Sequence, residues 1–180
     1  MRGTIKERIE RIGKIVGVNY TDKTYENFKQ FLEMYAEMKS DVRLFDIDMD
    51  EVKLQKVAPM LFEAMMISEP IPRDMIEELV MIVVQSGKTP RLIQESLENV
   101  RKFSPDGEQY HQILWQLYFD DTIHSNIEVE LSLNCSHRTY HNKKRYAVML
   151  FGIACWGEIM SYWKDARREM QKIEAALEGA

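Results

Sequence analysis

Cysteine is scarce in this chain of 180 residues. Its two cysteines, Cys135 and Cys155, lie one beside a polar loop and one inside an apolar run. Small secreted domains that depend on disulfides carry many more cysteines for their length. We therefore expect no disulfide framework, and we expect the protein to work in a reducing, cytoplasmic setting.

Long apolar runs are also missing. The longest one spans residues 147–157 and is interrupted by Glu158, whereas a membrane-spanning helix needs about 20 apolar residues. The N-terminal residues are charged and amphipathic, unlike a signal peptide. We expect no membrane partner, and we interpret 147–157 as the buried centre of a soluble helix.

Positive charge does not dominate the chain, whose formal net charge is −5. A general phosphate-binding surface is therefore disfavoured. Residues 76–103 weakly resemble a helix-turn-helix, but Glu95 and Glu98 would face the phosphates and oppose binding. These residues and the basic cluster at 143–145 leave nucleic-acid binding as a weak alternative.

No glycine-rich phosphate loop and no nucleophile motif occurs, so no motif names a reaction. The few glycines and prolines instead separate helical patterns, with breaks at Gly17, residues 69–72, Gly87 and residues 104–107. Between the breaks, apolar residues recur at the spacing of one helix face. The sequence predicts an all-α, single-domain bundle of about seven helices over residues 1–180.

The predicted helices follow from this spacing. The first carries Ile5, Ile9, Ile12 and Val16 on one face, and the second follows Asp22 with a broad aromatic face. Further helices are expected from Asp48 towards Ile67 with a kink at Pro59, from Pro72 to Ser86, from Thr89 to Phe103, over 108–124 and over 143–178.

Residues 127–133 (IEVELSL) alternate strictly between apolar and polar residues, which is typical of a strand. A lone strand needs a partner. Residues 42–47 or a second subunit would have to supply it. We keep a minor two-stranded element and a helix as alternatives for this segment.

The strongest pattern lies in the long C-terminal helix. Apolar or small residues spaced alternately by three and four form a heptad seam: Met149, Gly152, Trp156, Ile159, Trp163, Ala166, Met170, Ile173 and Leu177. At 1.5 Å per residue, 143–178 would measure about 54 Å, longer than a domain of this size is wide. The end should project, or pack on the N-terminal helix.

This seam supplies the candidate partner-binding residues, which are Trp156, Ile159, Trp163, Met170, Ile173 and Leu177. Packing within the chain and pairing with another protein or a second copy remain open. The twelve methionines add deformable apolar surface.

All four histidines fall between residues 111 and 141, together with Cys135. Candidate metal ligands are His124, Cys135, His137 and His141, and zinc is the candidate ion because it binds cysteine and histidine in a tetrahedron. Structural zinc sites usually have two arms of closely spaced ligands, and only one is present here. A polar loop between helices therefore explains the cluster better, and no cofactor is expected.

The preferred functional hypothesis is a non-enzymatic accessory or regulatory protein that acts through helix-mediated protein–protein contact. The main alternative is a metal-binding protein or metal-dependent enzyme that uses the Cys/His cluster at 124–141.

Overall fold

The computed structural model describes residues 3–42, 63, 65, 70–85, 89–103 and 105–179, with the side chains of residues 40–42, 82, 83, 85, 89–92, 159–167, 169, 170 and 174 excepted. Over these ranges the chain is all-α, which confirms the predicted fold class. The elements are α1 (Ile5–Val16), α2 (Asp22–Val42), α3 (Arg73–Gln85), α4 (Thr89–Arg101), α5 (Gly107–Leu114), a π-helical turn π1 (Trp115–Phe119), α6 (Asn126–Leu133) and α7 (His137–Glu178).

The first half of α7 lies at the centre of the fold. Helices α1, α2, α4, α5 and α6 all contact α7, and α3 packs on α2. Between 147 and 156 this helix is buried on nearly every side, through Ala147, Val148, Met149, Leu150, Phe151, Ile153, Cys155 and Trp156. A helix that is apolar all round belongs in a core, and no helix among the described residues could span a membrane.

Helix α1 has clear start and stop signals. Thr4 and Glu7 form a capping box at its N-terminus. Gly17 ends it in the left-handed conformation, with φ of 89°, as predicted from the sequence. The indole of Trp156 donates a hydrogen bond of 2.7 Å to the carbonyl oxygen of Val16. The end of α1 is thereby fixed to the buried half of α7.

Of the two alternatives kept for 127–133, the helix is the one observed, since this segment forms α6. Ser125 and Glu128 make a capping box that starts a helix, and Asn134 ends it with φ of 48°. On a helix, residues two positions apart lie on nearly opposite sides. Val129 is therefore buried, while Ile127 and Leu131, two positions before and after it, are exposed. The proposed partner strand at 42–47 lies outside the described residues apart from Val42, which ends α2.

Two predicted helix boundaries also differ. The helix expected over 108–124 ends at Phe119, after the π-helical turn. Helix α7 begins at His137 and not at 143, because Ser136 accepts a hydrogen bond from the backbone N–H of Thr139 as an N-cap. The helix expected from Asp48 towards Ile67 lies outside the described residues, apart from Glu63 and Met65.

Gly152 permits the closest approach between α2 and α7. A Cβ atom at this position would lie 2.4 Å from two ring atoms of Phe28. The Phe28 ring is itself buried and has little room to move. The two helices can therefore meet at this depth only because residue 152 lacks a side chain.

We expect Gly152→Ala to destabilise the fold by about 1–3 kcal/mol through overpacking against Phe28. Gly157→Ala on the same helix is the matched control, since the nearest atom to an added Cβ there is 4.0 Å away. The control should be neutral or gain up to about 1 kcal/mol from helix propensity. Urea unfolding measures both; equal effects would contradict the packing described.

Candidate functional site

The six partner-binding candidates fall into three groups. Trp156 is only 7% exposed and binds Val16, so the structure assigns it to the core instead of to a partner surface. The side chains of Ile159, Trp163 and Met170 lie outside the described residues. Ile173 and Leu177 are 59% and 74% exposed.

The C-terminal end of α7 is an exposed helical segment. Every described side chain from Arg168 to Gly179 is exposed. Ile173 and Leu177 lie four residues apart, so they share one face of the helix. We call these two residues the open seam. The open seam continues the heptad positions that are buried at Met149 and Trp156.

The basic cluster at 143–145 finds its partners within the chain. Lys143 forms an ion pair of 3.0 Å with Asp106, and Lys144 donates to the Asn126 side chain over 2.9 Å. Arg145 pairs with Asp22 and donates to the Tyr20 hydroxyl. The three cations therefore join α7 to α6 and to residues flanking α5 and opening α2.

Two of the four candidate metal ligands come together. The Nε2 atoms of His137 and His141 lie 3.0 Å apart on the first turns of α7. The Nδ1 atom of His137 is 2.9 Å from Oε2 of Glu130, on α6. Glu130 was missed from the sequence because it lies on the other side of the loop that joins α6 to α7, where spacing gives no signal.

The other two candidates are elsewhere. His124 lies 3.6 Å from a carboxylate oxygen of Asp120, and half-buried Cys135 packs against the hydrophobic core. Among the described residues, no group of three histidine, cysteine or carboxylate side chains is arranged to hold a metal ion. In the structure as described, the four candidates therefore do not converge on one point.

The π-helical turn π1 is fixed by a buried lysine. Lys39 of α2 is 6% exposed, and its Nζ donates to the carbonyl oxygens of Tyr118 and Asp120 over 3.1 and 2.6 Å. A cation suits the C-terminal end of a helix, where carbonyl groups lack partners. The sequence held a signal for this role, because Lys39 lies four residues after Tyr35 and seven after Leu32, on the buried face of α2.

A cleft of about 690 Å³ opens beside π1. Tyr35, Ile93, Leu97, Trp115 and Phe119 supply its apolar lining, and Gln94, Glu98, Arg101 and His111 its polar lining. The His111 and Trp115 rings are stacked, with centroids 6.2 Å apart.

The polar side chains of this cleft largely satisfy one another. Arg101 forms ion pairs of 2.9 Å with Glu98 and 3.2 Å with Glu108, so it adds no net positive charge for an anion. Burial, together with the nearby Arg101, lowers the pKa of His111 below its ordinary value. The cleft therefore combines an aromatic wall with an imidazole whose pKa is lowered.

Tyr118 of π1 carries a buried hydroxyl with no hydrogen-bond partner among the described residues. Burial raises the pKa of its phenol far above the ordinary value, and nearby Glu33 raises it further. Tyr140 has a partner, since its hydroxyl donates to Asn126 over 2.8 Å. Burial raises the pKa of Tyr140 to about 12.

Comparisons with protein-family models, curated proteins and solved structures give no match for this chain.

We expect Lys39→Met to cost about 1.5–3 kcal/mol of stability, because it leaves the Tyr118 and Asp120 carbonyl groups without their charged donor. Lys29→Met, on the same helix, removes ion pairs of 3.7 and 4.0 Å near the surface. That control should change stability by less than about 0.5 kcal/mol. Chemical denaturation distinguishes the two; similar losses would refute the capping role of Lys39.

We expect Tyr118→Phe to be neutral or stabilising at pH 7, because it removes an unpaired buried hydroxyl, whereas Tyr140→Phe should cost about 1 kcal/mol. The folded-state pKa of Tyr118 lies above the unfolded value near 10, so above pH 10 the unfolded chain releases this proton while the folded chain still holds it. The free energy of unfolding therefore falls as the pH rises above 10. Tyr118→Phe should therefore lose less stability than the natural chain between about pH 10 and 11.5. Identical pH profiles would contradict this assignment.

Proposed function

We propose that this chain is a cytoplasmic, non-enzymatic accessory protein that acts through protein–protein contact, and that the open seam of α7 pairs with the same segment of a second copy. One observation carries the proposal: two large aliphatic side chains, Ile173 and Leu177, are exposed on one face at the end of a 42-residue helix. Single exposed aliphatic residues are ordinary, but a heptad seam that continues from core to surface is typical of helix pairing.

Packing on the N-terminal helix does not account for the open seam. Gly13 of α1 faces Ile153, and Val16 faces Gly157, so α1 runs beside the buried half of α7. The chain leaves α1 at Gly17, next to Trp156. Ile173 lies about 26 Å further along α7 at 1.5 Å per residue. The two terminal helices therefore do pack together, but at the other end of the seam.

The charge of the exposed end favours a second copy as the partner. Residues 164–178 (KDARREMQKIEAALE) contain equal numbers of basic and acidic residues. A strongly basic or acidic face would select an oppositely charged protein and repel its own copy. A balanced segment has no such repulsion, so the apolar seam is free to determine pairing.

The expected association is weak. Burying one Ile or Leu side chain contributes about 1.5–3 kcal/mol, and a symmetric pair buries four from the open seam. This sum of about 6–12 kcal/mol is opposed by an association cost of about 4–15 kcal/mol. The contribution of the open seam is therefore consistent with dimerisation in the micromolar range or weaker, as suits a reversible contact.

We expect the full chain to dimerise in sedimentation experiments between about 1 and 200 µM, and Leu177→Glu to weaken the dimer at least tenfold by placing charge in the seam. Ala175→Glu is the matched control, because it adds the same charge to an exposed position off the seam. It should leave the dimer intact.

A chain that stays monomeric throughout this range overturns the proposed pairing. Equal loss of dimer in Leu177→Glu and Ala175→Glu would also overturn it, since the effect would then come from charge alone. Circular dichroism of each variant verifies that the helical fold is retained.

A further inference from the structure

We propose that His137 and His141 form a two-point chelate for a divalent transition-metal ion, oriented by Glu130. This site goes beyond the proposed contact function. It differs from the four-ligand zinc site considered from the sequence, because it uses neither His124 nor Cys135. Three observations support it: the carboxylate behind His137, the distance between the two facing nitrogens, and the exposure of both rings.

Glu130 sets the tautomer of His137. A carboxylate oxygen accepts hydrogen bonds, so the Nδ1 atom of His137, 2.9 Å from Oε2 of Glu130, is the ring nitrogen that carries the proton of the neutral imidazole. The neutral ring then presents an Nε2 lone pair on its opposite edge. Histidines that bind metals usually donate their other N–H to a carboxylate or carbonyl group in this way.

The second nitrogen lies at chelating distance. His141 follows His137 by one turn of helix, and its Nε2 faces the Nε2 of His137 at 3.0 Å. In the absence of an ion, this distance suits a hydrogen bond from the Nε2–H of His141 to His137. Binding of an ion by both nitrogens requires the other neutral tautomer of His141, in which solvent has carried the proton from Nε2 to Nδ1.

The distance is compatible with chelation. With metal–nitrogen bonds of about 2.0–2.1 Å, two ligands lie about 2.9 Å apart at a 90° angle and about 3.3 Å apart at the tetrahedral angle. The observed 3.0 Å lies near both values, so a small movement of the two exposed rings brings both nitrogens to an ion. Imidazole ligands suit Cu²⁺ and Ni²⁺, and Cu²⁺ binds most tightly in the divalent series.

Access and local charge determine how strong the site is. His137 has 76% of its side chain exposed, and His141 is exposed as well, so the remaining coordination positions face solvent. The positive end of the α7 dipole opposes a cation. The negative charge of Glu130 offsets this effect. We therefore expect an open site of moderate affinity.

The site is separate from the open seam. Ile173 lies about 48 Å along α7 from His141 at 1.5 Å per residue. An ion at the chelate therefore touches no residue of the open seam. Failure of the dimer experiment would leave the chelate standing, and the reverse also holds.

The test uses the full chain without an affinity tag. Calorimetric titration with Ni²⁺, which does not oxidise thiols, should show one ion per chain. His141→Ala should weaken binding at least tenfold, and Glu130→Gln should weaken it roughly 10–100-fold by losing the carboxylate that orients His137. His124→Ala is the matched control and should bind as the natural chain does.

The ligands are identified with Cu²⁺ in a Cys135→Ser chain, where the half-buried thiol cannot react. Its electron paramagnetic resonance spectrum should show two imidazole nitrogens, and His137→Ala should leave one. The proposal is overturned if Ni²⁺ does not bind in one-to-one ratio, or if the His137→Ala/His141→Ala double variant binds it unchanged. Equal loss in His124→Ala would also overturn it.

Discussion

Burial of the first half of α7 is the constraint on which the rest of the structure depends. Five other helices contact α7, and residues 147–156 are enclosed on nearly every side. Gly152 lets Phe28 approach the helix axis, and the Trp156 indole caps the end of α1 through Val16. Since burial of apolar surface is the dominant favourable term in folding, this segment both organises the bundle and fixes where α7 emerges from it.

The function proposed for the chain follows from the exposure of the C-terminal end of α7. The heptad pattern that is buried at Met149 and Trp156 is exposed at Ile173 and Leu177, and we propose that it serves packing at the first pair and contact at the second. The His137–His141 pair lies at the opposite end of α7. A direct effect of one end on the other would have to act through the whole buried segment, so we treat the two ends as separate surfaces of one helix.

The sequence predicted the helices where the helical spacing of apolar residues agrees with the breaks at glycine and proline. The helical spacing in α1 and the stop at Gly17 sufficed there, and the apolar run at 147–157 identified the central core helix. Residues 127–133 were left open between a strand and a helix because a short alternation fits either structure, and the Ser125–Glu128 capping box starts a helix there. The roles of Glu130 and Tyr118 depend on contacts between elements, which spacing along one chain does not encode.

Hydrogen exchange along α7 at two protein concentrations tests most directly whether one helix is both core and contact surface. We expect amides of 147–156 to exchange slowly at about 1 µM and at about 200 µM, because they open only with global unfolding. Amides of 168–178 should exchange quickly at the lower concentration and become protected at the higher one. Protection of 168–178 that does not change with concentration, or rapid exchange within 147–156, would contradict this account.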